Sequence, residues 1–552
     1  MALFAELRRR NVLKVALLYV VASWLILWFI KNTGRAFGLP VWTETFGLLL
    51  LAIGLPVALI FAWTYEITPA GLKKAEDVEQ TQSIVYKTGQ KLNAAVAVLL
   101  VLGLLALIGE GLMPKFEFLV PGVPNGDPPA AANVPADIRS LTLDNGLRII
   151  AWPDRGTRGV VVYNVVRAGS RNERPGITGV SHFFERLMFS DATNLVPGEV
   201  VRTAASVGSA NAAYTTNDVT VYTSRAPELE PVFELEASRL EGFVVDADTI
   251  ESQRKVISGE RRLSVDDNSV ARLIEQMYAT AFVAHPYQFP TIGWPSDIAT
   301  WSAADLLEFF RRYYAPNNRT VIVVGDVTTE DVFRLAESYL APLPAQLPPP
   351  PVTTVEPEQA GERRILIESG DPTPLLHIAF HALAAADADA LSLKLLLDIL
   401  VGDDSSRLHR VLVEEQQAAL SVGGWQDEGF DPGLAYFYVA LAPDRDPAEA
   451  ESLIIEALQR IVADGVSQDE LDNARKNLLA EYRRGLATID GKASALAHFE
   501  IFVGGYENLF ALPDALAAVT PEDLKRVAEK IFRRQNMTVG IAAPPPGTAP
   551  VP

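Results

Sequence analysis

Two stretches of this chain repeat each other at an offset of 218 residues, without a gap. "AADLLEFFRRYYAPNNRTVIVVGD" starts at Ala303 and "PEDLKRVAEKIFRRQNMTVGIAAP" starts at Pro521. Asp305 falls on Asp523, Leu306 on Leu524, Asn318 on Asn536 and Thr320 on Thr538. Each copy reads as an amphipathic helix, a polar turn and a β-branched strand. A second pair aligns "RKVISGERR" (Arg254–Arg262) with "RKNLLAEYRR" (Arg475–Arg484), placing Glu260 on Glu481. Repetition through helix, turn and strand points to an internal duplication. Helices and strands do not alternate strictly in either copy, so the expected class is α+β rather than a doubly wound sheet.

Composition breaks set the boundaries. "PGVPNGDPPAAANVPAD" and "APLPAQLPPPPVTTVEPEQAGE" are Pro-rich linkers flanking segments of ordinary domain size. The expected organisation is an N-terminal segment 1–112, a linker 113–137, a first domain 138–345, a linker 346–362 and a second domain 363–552. The 552 residues include no cysteine, which removes disulfides, thiolate metal ligands and a Cys nucleophile. The net charge of −20 argues against a nucleic-acid partner, since phosphate binding needs a basic surface.

Three apolar runs, Val12–Ile30, Phe46–Tyr65 and Leu92–Leu112, are each near the ~20 residues needed to cross a bilayer. Lys and Arg concentrate before the first run (Arg8, Arg9, Arg10, Lys14) and between the second and third (Lys73, Lys74, Lys87, Lys91). These flanks are therefore expected on the cytoplasmic side. Three crossings then place the rest of the chain outside, in the periplasm of a Gram-negative cell, with the lipid bilayer as a partner. "FAELRRRNVLKVALLYVVASWL" and "GLPVALIFAWTYEITPAGLKK" resemble a bacterial membrane-anchor module found ahead of cyclase and tetratricopeptide-repeat proteins.

The chemistry-bearing stretch is "GVSHFFERLMF", Gly179 to Phe189. The inverted zinc motif is His-x-x-Glu-His, with the Glu as general base. Here His182 and Glu185 are in place and Arg186 stands at the second His. Positions i and i+4 share a helix face, so residues 182 and 186 would aim at one metal. No other His lies within two turns.

Several ordered motifs carry a family resemblance: "GVSHFFERLMF", "ANAAYTTNDVTVYTS", "ESQRKVISGERR", "HPYQFPTIGWPSDIATWSAADLLEFFRRYYAPNNRTVIVVGDV" and "SSRLHRVLVEEQQAALSV". Over residues 138–545 the chain resembles the pitrilysin, insulinase and mitochondrial processing peptidase family. The resemblance implies two homologous α+β domains per subunit, half of a clam-like chamber, and hence a homodimer or a heterodimer with an active relative. It implies zinc held by two motif His and a downstream Glu, which here is Glu260. The supporting Glu seven residues earlier reads Gln253. It also implies substrate contacts from Asn211 and Arg407, with peptide or unfolded protein adding to the edge of the Asn211 strand. The family's substrate-holding Tyr reads Leu420.

Arginine cannot ligate a metal, because its guanidinium stays protonated. Arg186 is therefore expected to replace the cation as a largely buried counter-ion of Glu185 and Glu260. The favoured reading is a non-catalytic, membrane-anchored member that binds no zinc stably. An active zinc endopeptidase with unusual ligation and a non-enzymatic binding scaffold stay open.

Overall fold

The β-branched and aromatic runs become strands in a computed structural model that describes residues 65–68, 71–74, 134–188, 210–241, 245–371 and 373–544. In the unit Met1–Gly122 the described residues are two short strands, β1 (Tyr65–Thr68) and β2 (Gly71–Lys74), paired antiparallel. The three expected membrane runs lie outside the described residues, except Tyr65, which starts β1. Among the described residues no helix is long and apolar enough to cross a membrane.

The unit Val123–Pro552 holds both copies of the repeat. Its first half runs β3 (Arg139–Thr142), β4 (Arg148–Pro153), β5 (Val160–Val166), α1 (Val180–Leu187), β6 (Ala210–Thr215) and β7 (Thr220–Ala226). It continues through α2 (Glu230–Glu241), α3 (Ala247–Arg261), α4 (Ser269–Ala281), α5 (Pro295–Thr300), α6 (Ala303–Tyr313), β8 (Arg319–Gly325) and α7 (Thr329–Tyr339). The second half runs β9 (Arg363–Glu368), β10 (Leu375–His381), α8 (Ala390–Val401), β11 (Ala419–Gln426), β12 (Leu434–Leu441) and α9 (Pro447–Asp464). Then come α10 (Gln468–Gly485), α11 (Ile489–Phe502), α12 (Glu507–Ala518), α13 (Pro521–Ile531) and β13 (Met537–Ala543).

The halves have one topology. The first sheet is ordered β3-β4-β8-β5-β7-β6, and the second, read from its far edge, β9-β13-β10-β12-β11. In each, one parallel pair (β4 with β8, β9 with β13) sits beside antiparallel neighbours. The duplication is visible in side-chain detail. Asn318 donates to the Tyr313 carbonyl at 2.8 Å and the Arg167 carbonyl at 3.1 Å. Asn536 donates to the Ile531 carbonyl at 3.0 Å and the His381 carbonyl at 2.9 Å. Each Asn thus ties the end of its helix to the sheet, satisfying helix carbonyls that would otherwise be orphaned.

Each half also lays a helix on the other half's sheet. Leu273 and Met277 of α4 pack against Ala379, Tyr436 and Ala542 of the second sheet. Ile489, Ala493 and Leu496 of α11 pack against Ile150, Val161 and Ile322 of the first. Gly540 permits the approach of α4, because a Cβ there would stand 2.6 Å from Met277 Sδ. Burying both apolar helix faces this way makes the halves one interlocked body. The Pro-rich stretch 346–362 has no helix or strand, yet it is fastened. The Glu356 carboxylate accepts from the backbone N–H groups of Val283, Ala284 and His285, all at 2.9 Å.

Candidate functional site

Helix α1 is fixed at its start and along its apolar face. Gly179 takes a positive φ of 86°, and a Cβ there would lie 2.6 Å from the Ile292 carbonyl oxygen. Only glycine fits that entry without strain. The Glu173 carboxylate then accepts from the Gly179 and Ser181 N–H groups, both at 2.7 Å. A carboxylate satisfying orphan donors at a helix start is favourable in both charge and hydrogen bonding. Glu173 is buried, and that burial pushes its carboxyl up to about 7 against the pull of the two N–H groups. Phe183 and Phe184 anchor the apolar face against Trp301, Phe309 and Tyr314.

Opposite α1 stands α3, capped at its start by Asp246, which accepts from Thr249 N–H at 2.8 Å. Near its end, buried Arg261 pairs with Glu275 at 2.8 and 2.9 Å and donates to the Gly293 carbonyl at 2.8 Å. That clamp fixes the neighbouring Glu260. Glu260 Oε2 accepts from Arg186 Nη1 at 2.7 Å, and its Oε1 lies 3.5 Å from His182 Nε2. His182, as the largest influence, and Arg186 together hold the Glu260 carboxyl below its usual range, against the opposing effect of burial. His182 is buried, and its Nδ1 has no hydrogen-bond partner among the described residues.

The arrangement departs from the sequence-based expectation in two respects. Arg186 pairs with Glu260, whereas Glu185 is held by a different group: Thr215 Oγ1 donates to Glu185 Oε2 at 2.6 Å. The counter-ion expectation therefore holds for one carboxylate of the two. The pair is also only half buried, with 36% of the Arg186 side chain and 34% of the Glu260 side chain exposed. Both side chains are long enough to carry their charged ends toward solvent, and Arg186 lines an open cleft. That cleft, of about 420 Å³, is lined by Glu185, Arg186, Asn211, Gln253 and Val256 among others.

Asn211 lies on β6, the end strand of the first sheet among the described residues, where residues 211, 213 and 215 are the less exposed face. The strand alternation thus puts Thr215 on the same side as Asn211. That was the available signal for Thr215, which sequence reasoning passed over. Arg407 belongs to a separate cluster in the second half. Its Nε and Nη2 grip the two Glu470 oxygens at 2.7 and 2.9 Å, beside the Ser467 cap of α10. Leu420 is 58% exposed, at a bulge in β11 between Ala419 and Ser421.

A catalytic zinc centre takes three protein ligands and one open position. His182 and Glu260 supply two donors, and Arg186 occupies the place of the third without being able to ligate. His285 is committed elsewhere, with Nε2 3.1 Å from Asp431 and Nδ1 accepting from Tyr287 N–H. Among the described residues no group of three or more His, Cys, Asp or Glu gathers in a way that could hold a metal. The donor set does not fit a catalytic zinc, and no chemical step is assigned to one.

Comparison with known proteins places this geometry. Residues 150–293 match the family described as Insulinase (Peptidase family M16), and residues 300–478 match Peptidase M16 inactive domain. The latter match starts before α6 in the first half, ends within α10 of the second, and does not include the α1 site. Zinc protease PqqE of Helicobacter pylori is 28% identical over 413 residues, covering 73% of this chain and 92% of that protein. The crystal structure of a protease from Helicobacter pylori superposes with a TM-score of 0.71 at 27% identity, covering 74% of this chain and 99% of that one. The periplasmic protease PqqL of Escherichia coli shares the fold, with a TM-score of 0.64 at 21% identity, over 75% of this chain and 48% of that one. The chain therefore carries peptidase M16 (insulinase-like) family domains, an insulinase match over residues 150–293 followed by an inactive-domain match over residues 300–478.

Proposed function

We propose that this zinc-protease-like chain is a non-catalytic subunit, anchored in the bacterial inner membrane with its M16 unit in the periplasm, which holds peptide or shapes a chamber beside an active relative. The observation that carries the reading is Arg186. It stands at the second zinc-His position and donates to Glu260, the residue that would be the third ligand. A guanidinium balances the charge there and supplies no Lewis acid. Pairing with itself or with an active family member rests on the half-length match to PqqL, of which this chain covers 48%. Peptide holding rests on β6 as an end strand, with Asn211, Glu185 and Arg186 lining the adjoining cleft. Membrane anchoring and periplasmic placement rest on the three apolar runs and their Lys/Arg flanks.

A second reading, an active endopeptidase with unusual zinc ligation, is favoured by the zinc-protease relatives. Glu185 would then be the general base, with His182 and Glu260 on the metal. Incubating residues 123–552 with zinc and unfolded peptides separates the two. The proposal expects no cleavage. Cleavage that disappears in Glu185→Gln would overturn it in favour of the second reading.

A further inference from the structure

The second half carries a solvent-open cavity of about 660 Å³ between α8, α10, α11 and α12. Its walls include Leu391, Leu478, Tyr482, Phe499, Leu512 and Leu516, so its lining is mainly apolar. Pockets of this size, apolar with a few convergent polar groups, are the usual form of a small-molecule site. It is separate from the α1 cleft, and none of its lining residues has a part in the function proposed above.

The polar groups are gathered around Glu428. Lys394 Nζ stands 3.0 Å from one Glu428 oxygen and His498 Nε2 stands 3.8 Å from the other. Asp387 and Glu481 line the same cavity, which sets three carboxylates against one lysine. Burial depresses His498, so its ring adds no lasting positive charge at neutral pH. A second cavity of about 410 Å³ meets the first at Gln426, Glu428, Ser494 and His498. It brings Asp427, whose carboxyl is pushed up by burial, and Asp218, also pushed up by burial although Arg171 stands 3.5 Å away. Carboxylates crowded into a poorly solvated space favour an incoming cation.

We propose that this cavity binds a primary amine carried on an apolar body, with the ammonium directed to Glu428 and the apolar part between α10 and α12. The charge imbalance selects the head, and the apolar walls select the body. A carboxylate of the same length would meet like charge, and an alcohol would gain only the apolar contacts.

The M16 unit Val123–Pro552 is compact by itself and matches essentially the whole of a solved relative, so it serves as the test protein. Calorimetric titration with octylamine, octanol and octanoate reads the selection. Octylamine is expected to bind roughly tenfold tighter than octanol, as one added charged contact implies, with octanoate weakest. Glu428→Gln should erase the amine preference and leave octanol affinity unchanged. Ala515→Trp, at an exposed position of α12 that lines the cavity, should remove binding of both while the melting temperature stays the same. A short apolar peptide carries the same chemistry at its N-terminus. Its binding, lost on acetylation, would name a chain end as the source, and octylamine binding alone would name a small amine. The proposal is overturned if octanol or octanoate binds as tightly as octylamine, if none of them binds, or if Ala515→Trp leaves affinity intact.

Discussion

Replacing Arg186 by Ala removes the 2.7 Å bond to Glu260 and leaves that carboxylate with His182 at 3.5 Å. Exposed ion pairs contribute about 0.2–1 kcal/mol, while breaking a fully buried one costs about 3–5 kcal/mol. With roughly a third of each side chain exposed, the Arg186–Glu260 pair belongs between these limits. The expected loss is about 1–2 kcal/mol, below what a buried pair would give. Part of that loss is the packing of the Arg stem, so the single variant is not enough. Urea unfolding of residues 123–552 as wild type, Arg186→Ala, Glu260→Gln and the double variant isolates the pair. The coupling energy should be about 1 kcal/mol, read from midpoints at unchanged slope. The same cycle with Glu185→Gln should give no coupling, because Glu185 is held by Thr215. A coupling within ~0.3 kcal/mol of zero for Arg186 and Glu260 would refute the counter-ion argument, being no larger than the additivity found for independent sites.

Burial pushes Asp218 up to about 6 from its usual 3.8, so the folded protein holds that proton more tightly than the unfolded chain. A raised carboxyl contributes stability below the unfolded value and loses it as pH rises through the folded one. Asp218→Asn, which mimics the protonated form, should therefore gain on wild type by on the order of 2 kcal/mol between about pH 4 and pH 7 in denaturant unfolding; a constant difference would contradict this. Arg407→Ala should destabilise the unit by about 1–2 kcal/mol in the same assay, because a bidentate pair with Glu470 is lost. The Arg407 bond is the largest cause holding Glu470 down to about 2, so this contribution is present above the usual 4.5 and fades as pH falls toward the folded value. An Arg407→Ala protein with unchanged stability but weaker peptide binding would point instead to a purely substrate-holding role. A phosphatase fused after Pro552 should be active and a fluorescent protein there dark; the reverse would overturn the periplasmic placement.

The duplication was legible because it extends across helix, turn and strand, and each matched residue keeps its place: Asn318 and Asn536 make equivalent bonds to equivalent carbonyls. The meeting of His182, Arg186 and Glu260 was legible from helical spacing and the family resemblance together. The exchange of α4 and α11 between the halves was not, since an apolar helix face does not say which sheet it will cover. Thr215 was missed because a strand hydroxyl looks the same whether it faces solvent or a carboxylate. The exposure of Arg186 escaped for a related reason, as spacing fixes the side of a helix and leaves the depth of a long side chain open. Arg407 was reached through the motif match alone, which names a substrate contact and gives no sign of the Glu470 pair that the fold adds.

If Arg186 has displaced the metal, zinc content shows it most directly. Residues 123–552, purified and dialysed against zinc-containing buffer, should carry well under one zinc per chain by atomic emission. Arg186→His rebuilds a His/His/Glu donor set and should raise the content toward one, with a higher melting temperature in zinc than without it. Stoichiometric zinc in the wild type that vanishes in His182→Ala would contradict the account.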